Sequence, residues 1–462
     1  MSTALSQQKQ LFGHPVGLYV LFFTEMWERF SYYGMRAILV LYLVAETAGD
    51  NAGLGWSNGE ALALYGWYTM LVYVASIPGG WIADKFLGQK KSVLVGGILL
   101  VAGHSILAVE EMWAFYSGLG LIIAGVGMLK PNISTMVGGL YEQGDIRRDK
   151  GFTIFYIGIN VGAFLSSLIV GYVGEVHGWH YGFGLAGIGM AAGLLQYLLG
   201  QKHLKYVGNF LGASENEEEK AAMKRPLTKI EKDRVVVLFI SFLLVIVFWG
   251  AFEQAGGLMN IYASENTNRM LMGWEVPASW FQSLNAMFII FLGTSVALYW
   301  AKRKLKGKVS TSLFKMIVGL IIMGTGFFFM SAASAEFEST GASAMYWLVL
   351  AYLFHTVGEL CISPVALSYI TKLSPVKYAS IMMGVYFAMT GFGNKLAGLL
   401  GEASESMGEF TIFTGIAVFC VAFGLLVMLF RKKLEFLTHG AEDNEREMKY
   451  EEAEGFELAD NQ

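Results

Sequence analysis

Glu25-Met26-Trp27-Glu28-Arg29-Phe30-Ser31-Tyr32-Tyr33-Gly34-Met35-Arg36 lies inside the first apolar span of the chain. Two acids, two bases and two tyrosines stand there, where about 30 Å of hydrocarbon calls for aliphatic side chains. At roughly 2.5–3.5 kcal/mol for each ionised group at the bilayer centre, four of them turned to lipid cost on the order of 10 kcal/mol. They must face protein. The spacing agrees: Glu25, Glu28, Arg29, Tyr32 and Arg36 fall at i, i+3, i+4, i+7 and i+11, a single stripe on a helix of period 3.6.

Outward from this stretch the chain reads as an all-α integral membrane protein, since 55% of its 462 residues are hydrophobic and only 15% charged. About twelve apolar spans start near Leu18, Tyr65, Ser92, Trp113, Phe152, Tyr181, Val235, Trp280, Leu313, Met345, Ala379 and Phe410. The longest polar stretch, Gln201 to Lys232, leaves six spans on either side. The organisation expected is a six-helix bundle over 1–200, a linker over 201–232, a second bundle over 233–432 and an acidic tail over 433–462. Basic residues gather in alternate loops (Lys85, Lys90 and Lys91; Arg147 and Arg148; Lys302 to Lys308; Lys372 and Lys377), and acids such as Asp50, Glu110, Glu265 and Glu405 in the others. By the positive-inside rule both termini are cytoplasmic. The first span is too charged for a cleavable leader and is expected to stay in the mature chain. Cys361 and Cys420 lie in apolar spans and read as core residues, with no disulfide or metal framework.

Two six-helix halves resemble the major facilitator superfamily, whose halves rock about a central cavity. The stretch Gly80-Trp81-Ile82-Ala83-Asp84-Lys85-Phe86-Leu87-Gly88-Gln89-Lys90-Lys91 is similar to that superfamily's loop motif, in which an aspartate and basic residues brace helix ends. Within the superfamily, Glu25 to Arg36 resembles the ExxERFxYYGMR signature of proton-dependent oligopeptide transporters. Further matches occur in order along the chain: Gly127 to Asn132, Phe155 to Gly162, Phe248 to Gln254, Ser283 to Asn285 and Gly358 to Pro364.

Without the family, the intramembrane inventory already holds acids (Glu25, Glu28, Glu253, Glu359), bases (Arg29, Arg36, Lys130, Lys395) and amides (Asn160, Asn285, Asn394) in both halves. Fixed cations facing carboxylates complement a zwitterion, and amides serve a peptide bond without reading side chains. The resemblance implies Arg36 and Lys130 at a peptide C-terminus, Glu359 with Asn160 and Asn285 near its N-terminus and backbone, and Tyr32, Tyr33, Tyr73, Trp249 and Tyr386 around its side chains. Glu25, Glu28, Arg29 and Glu253 then handle protons, with Glu253 expected to pair with Arg36 when the outer side is closed. The resemblance thus implies a proton-coupled importer of di- and tripeptides in a bacterial inner membrane, acting as a monomer, without cofactor or nucleic-acid partner.

Three departures shape the expectation. The 32 residues from Gln201 to Lys232 are too short and polar for the two extra helices of many bacterial members. The stretch around Ser334 to Ala344 is short, unlike the large extracellular domain of animal relatives. Tyr386-Phe387 stands where a Trp-Phe pair is common, which bears on side-chain preference. The rivals are a transporter of the same fold for nitrate, amino acids or peptide-like metabolites, and a polytopic membrane enzyme, for which no nucleophile-and-base arrangement, metal-ligand set or phosphate loop is present in the sequence. His355, one turn before Glu359, reads as a core histidine before it reads as a proton relay.

Overall fold

The computed structural model describes residues 8–142, 145, 147–209, 226–375 and 379–442. The first half runs α1 (Val16–Val44), α2 (Asn58–Val74, resuming as Ser76–Ile82), α3 (Gln89–Leu107), α4 (Met112–Gly139), α5 (Arg147–Tyr172) and α6 (Trp179–Gly200). The second runs α7 (Lys229–Phe252), α8 (Ser283–Leu305), α9 (Ser312–Thr340), α10 (Met345–Leu373), α11 (Ala379–Met407) and α12 (Glu409–Phe436). Ten helices among the described residues are both long and apolar enough to cross a membrane. The exceptions, α1 and α11, are 29 residues each; charges inside them, including the Glu25 to Arg36 stripe, lower their hydropathy. Most of the acidic tail, and Ser214 to Lys220 of the linker, lie outside the described residues.

Caps explain where two helices begin. Ser57 and Glu60 form a capping box that starts α2, and Thr228 and Glu231 form another that starts α7 at Lys229. The apolar run alone places that span near Val235; the cap sets the helix start inside the polar linker. Prolines remove a hydrogen bond from two others: Pro131 in α4 and Pro364 in α10 have no N–H for the carbonyl four residues back.

Each half packs internally, α1 against α5 and α6, α3 against α4, and α9 against α10 and α12. The helix α2 changes partner along its length. Its Asn58–Val74 part packs more extensively on α11 of the other half than on any helix of its own, whereas Ser76–Ile82 turns to α4. Glycines permit both approaches: a Cβ on Gly66 would lie 2.8 Å from the Gly398 Cα, and one on Gly79 would lie 2.0 Å from the Gly127 carbonyl oxygen. The second seam joins α5 to α8 and the short turn of helix before it, Ala278–Gln282.

The polar ties between halves gather at the face opposite the termini. Glu405 accepts the Gly59 N–H at 2.6 Å, Glu175 accepts those of Ala278 and Ser279 at 2.8 Å each, and Asn58 donates to Glu265 at 3.0 Å. Asn260 and Gln282 both donate to the Ala37 carbonyl. The halves are closed together there. At the terminal face the expected brace by Asp84 is not seen: among the described residues Asp84 is exposed and makes no ion pair. Lys90 does the tying, its N–H donating to the Gly208 carbonyl and its Nζ to Asn209. An exposed aspartate gains little from a brace that competes with water.

Candidate functional site

The α1 stripe faces protein. Glu25, Glu28 and Arg29 are all buried, with Glu28 at 0% exposure. Arg29 Nε lies 2.8 Å from Glu25 Oε1 and 2.8 Å from Glu28 Oε2, but only the first contact is aligned as a hydrogen bond. Three of the four carboxylate oxygens are left without a donor among the described residues. Two buried carboxylates sharing one guanidinium carry an excess negative charge, which a proton or a second cation relieves. Lys130, beside Pro131 of α4, is the second cation at hand. It makes no ion pair within 4 Å among the described residues, and its Nζ sits 3.9 Å from the Tyr73 ring centroid.

Two turns further along α1, Arg36 crosses to the other half. Its Nη1 meets Glu253 Oε1 at 2.6 Å, in the short turn Glu253–Ala255 that ends α7. Tyr65 of α2 donates its hydroxyl to the same carboxylate oxygen at 2.6 Å. Gly256 comes next because nothing larger fits: a Cβ there would stand 2.0 Å from the Tyr65 hydroxyl oxygen. The ring of Tyr33 links the two arginines, with Arg36 Cζ at 4.7 Å and Arg29 Cζ at 5.9 Å from its centroid. Glu253 thus pairs with Arg36 while the face opposite the termini is shut, the combination expected from the sequence.

Across the interior, Asn285 of α8 donates to Glu359 Oε2 of α10 at 2.7 Å and to Thr356 Oγ1 at 3.1 Å. Tyr352 lies one turn before Thr356 and donates its hydroxyl to the Ala255 carbonyl at 3.2 Å. One face of α10 therefore joins the Glu359 carboxylate to the turn that carries Glu253. Asn160 holds the carbonyl of Tyr156 in its own helix at 2.9 Å.

The remaining sequence candidates sit at helix contacts. Tyr32 stacks with Tyr68 at 6.5 Å between centroids. Trp249 packs edge-on against Phe252 at 5.2 Å, and a Cβ on Gly393 of α11 would approach its own Cβ to 2.7 Å. Tyr386 is buried beside Phe387. Lys395 lies 4.5 Å from the Trp67 ring centroid, and Asn394 reaches the Thr69 carbonyl at 3.5 Å, so both tie α11 to α2. His355 packs its ring 4.3 Å from that of Phe327, and neither ring nitrogen has a partner among the described residues. Tyr65 and Thr356 were missed; a tyrosine in an apolar span and a threonine one turn before Glu359 were the available signals.

The POT family model matches residues 90–223 and 211–412. A di-/tripeptide transporter of Lactococcus lactis subsp. cremoris is 34% identical, over 92% of this chain and 97% of the relative. A crystal structure of a peptide transporter POT in complex with sulfate is similar with a TM-score of 0.88 and 33% identity, covering 94% of this chain and 99% of that one. A POT family transporter in complex with 5-aminolevulinic acid is similar with a TM-score of 0.84 and 31% identity, covering 92% and 98%.

Proposed function

We propose, from the premise that this chain belongs to the POT family of transporters, that it is a proton-coupled symporter of di- and tripeptides working by alternating access. The observation that carries the reading is the division of charge between the halves: Arg36 and Lys130 stand on the first, the Glu359–Asn285 pair on the second. A peptide has a carboxylate for the cations and an ammonium for Glu359, and its amide bond suits Asn160 and Asn285 whatever its side chains. The name of the Lactococcus relative supports the same substrate class.

The positive-inside pattern puts the terminal face in the cytoplasm. The arrangement described is then closed to the outside, with Arg36, Tyr65 and Glu253 forming part of the outer closure. Protonation of Glu253 removes its charge and frees Arg36; a substrate carboxylate offers Arg36 a replacement partner. Glu25, Glu28 and Arg29 form a second store, whose excess negative charge is satisfied by a proton or by Lys130. One proton entering down the membrane potential supplies about 2.3 kcal/mol per 100 mV, and about 1.4 kcal/mol corresponds to a tenfold gradient. The chain needs no cofactor for this and acts as a monomer in a bacterial inner membrane.

A second reading, an amino-acid-like metabolite as cargo, draws on the family structure in complex with 5-aminolevulinic acid. The two separate in proteoliposomes with an inside-alkaline, inside-negative gradient. Labelled dialanine is expected to accumulate above equilibrium, with tri-alanine competing and free alanine, 5-aminolevulinic acid and nitrate failing to compete. Absence of dialanine uptake, with one of the other solutes carried, overturns the peptide assignment and leaves the family unchanged.

A further inference from the structure

At the terminal face of the second half, away from the transport cavity, a cavity of about 700 Å³ opens between the ends of α8, α9, α10 and α12. Its rim is the α8–α9 loop. Residues 302–315 carry six bases and no acid; Lys306 and Lys308 are exposed, and Arg303 and Arg431 each lie 5.2 Å from the ring of Phe314. So dense a cluster of like charge repels itself unless anions offset it.

Two carboxylates already do so. Thr311 donates its hydroxyl to Glu435 Oε1. Glu442 accepts from the Ser312 hydroxyl, and its two carboxylate oxygens lie 3.3 Å from the Ser312 backbone nitrogen, at the first turn of α9. Glu442, whose side chain lies in this cleft, is the last described residue. The next twenty residues, 443–462, hold eight acids against two bases, a net −6 facing the loop's +6.

We propose that the acidic segment 443–462 occupies this basic cleft in the same molecule, extending the foothold of Glu442 along Lys304, Lys306, Lys308 and Lys315. Tethering makes the contact intramolecular, with an effective concentration on the order of millimolar, so individually weak surface ion pairs suffice together. The segment then shields the loop from other anions, anionic lipid headgroups included.

The full chain, in nanodiscs of phosphatidylcholine, tests this with a zero-length carbodiimide that joins a carboxylate to an adjacent lysine. Peptide mapping is expected to find bonds from acids of 443–462 to lysines of the α8–α9 loop, independent of protein concentration. They should fall about fivefold or more at roughly 0.5 M salt, where the Debye length shrinks to a few Å. Lys306→Glu with Lys308→Glu should lower the links to Lys304 and Lys315 by a similar factor, while dialanine uptake shows that the variant is folded. Links that fall equally on Lys85, Lys90 and Lys91, that form between two molecules, or that are absent overturn the proposal. So does their loss when phosphatidylglycerol replaces part of the lipid, which would assign the cleft to headgroups.

Discussion

The face opposite the termini and the terminal face use the same helices differently. At the former, α2 lies on α11 with Gly66 and Gly398 almost backbone to backbone, and α5 lies on α8 with the Glu175 carboxylate holding two N–H groups of the opposite half. At the latter, the end of α2 has returned to its own half through Gly79 and Gly127. Glycine crossings also occur within the halves, as of Gly96 with Gly125 and of Gly319 with Gly358; what the seam between halves adds is carboxylates capping a helix start in the other half. Such a seam is specific in geometry.

The largest effect is expected where the seam meets the charged interior. Removing one partner of a buried ion pair costs about 3–5 kcal/mol, so Glu253→Gln should lower uphill dialanine uptake by on the order of 100-fold. Exchange of labelled for unlabelled dialanine should remain measurable, since it needs no net proton movement; intact uphill uptake in that variant would remove Glu253 from the coupling. Next comes Gly66→Leu. Overpacking costs about 1–3 kcal/mol, and here it falls wholly on the closed seam, so uptake should drop to roughly a tenth with thermal stability of the separate halves little changed. A variant with normal uptake would mean that α2 and α11 do not need to meet so closely.

The two carboxylate caps sharpen the contrast further. Charge-assisted hydrogen bonds contribute about 1.5–3 kcal/mol when shielded, and Glu175 is part-buried while Glu405 is exposed. In a Leu62→Cys background, where the buried side chain packs on Gly401 at the seam, Glu175→Ala should speed labelling by an impermeant maleimide several-fold and Glu405→Ala less. Equal rates in both, matching the parent, would show that the caps do not hold the face shut. Lys395→Met should do least, since a cation–π contact with an exposed ring contributes about 0.5–1 kcal/mol; uptake kinetics are expected to stay within threefold of the parent.

Much of this was legible in the sequence because a membrane makes polar residues conspicuous. The α1 stripe, the long helices and the Arg36–Glu253 pair could be anticipated, since apolar runs mark the helices and ionised groups in hydrocarbon must find partners. What could not be read was pairing across distance. Glu175 with Ala278 and Ser279, or Glu405 with Gly59, lie in acidic loops that read as ordinary solvated surface, and a backbone N–H leaves no mark in sequence. Tyr65 was hidden for a related reason: its hydroxyl matters only because α2 brings it to Glu253. Asp84 erred the other way, since a motif states which residues are present and the conformation decides whether they touch.

The seam also bears on how the protein is assembled. Its halves recognise each other through α2 with α11 and α5 with α8, and each half forms its own packed bundle. Those surfaces lie on helices outside the stretch between Asn209 and Pro226, so two separately translated fragments, cut within it, carry the surfaces needed to reunite in the bilayer.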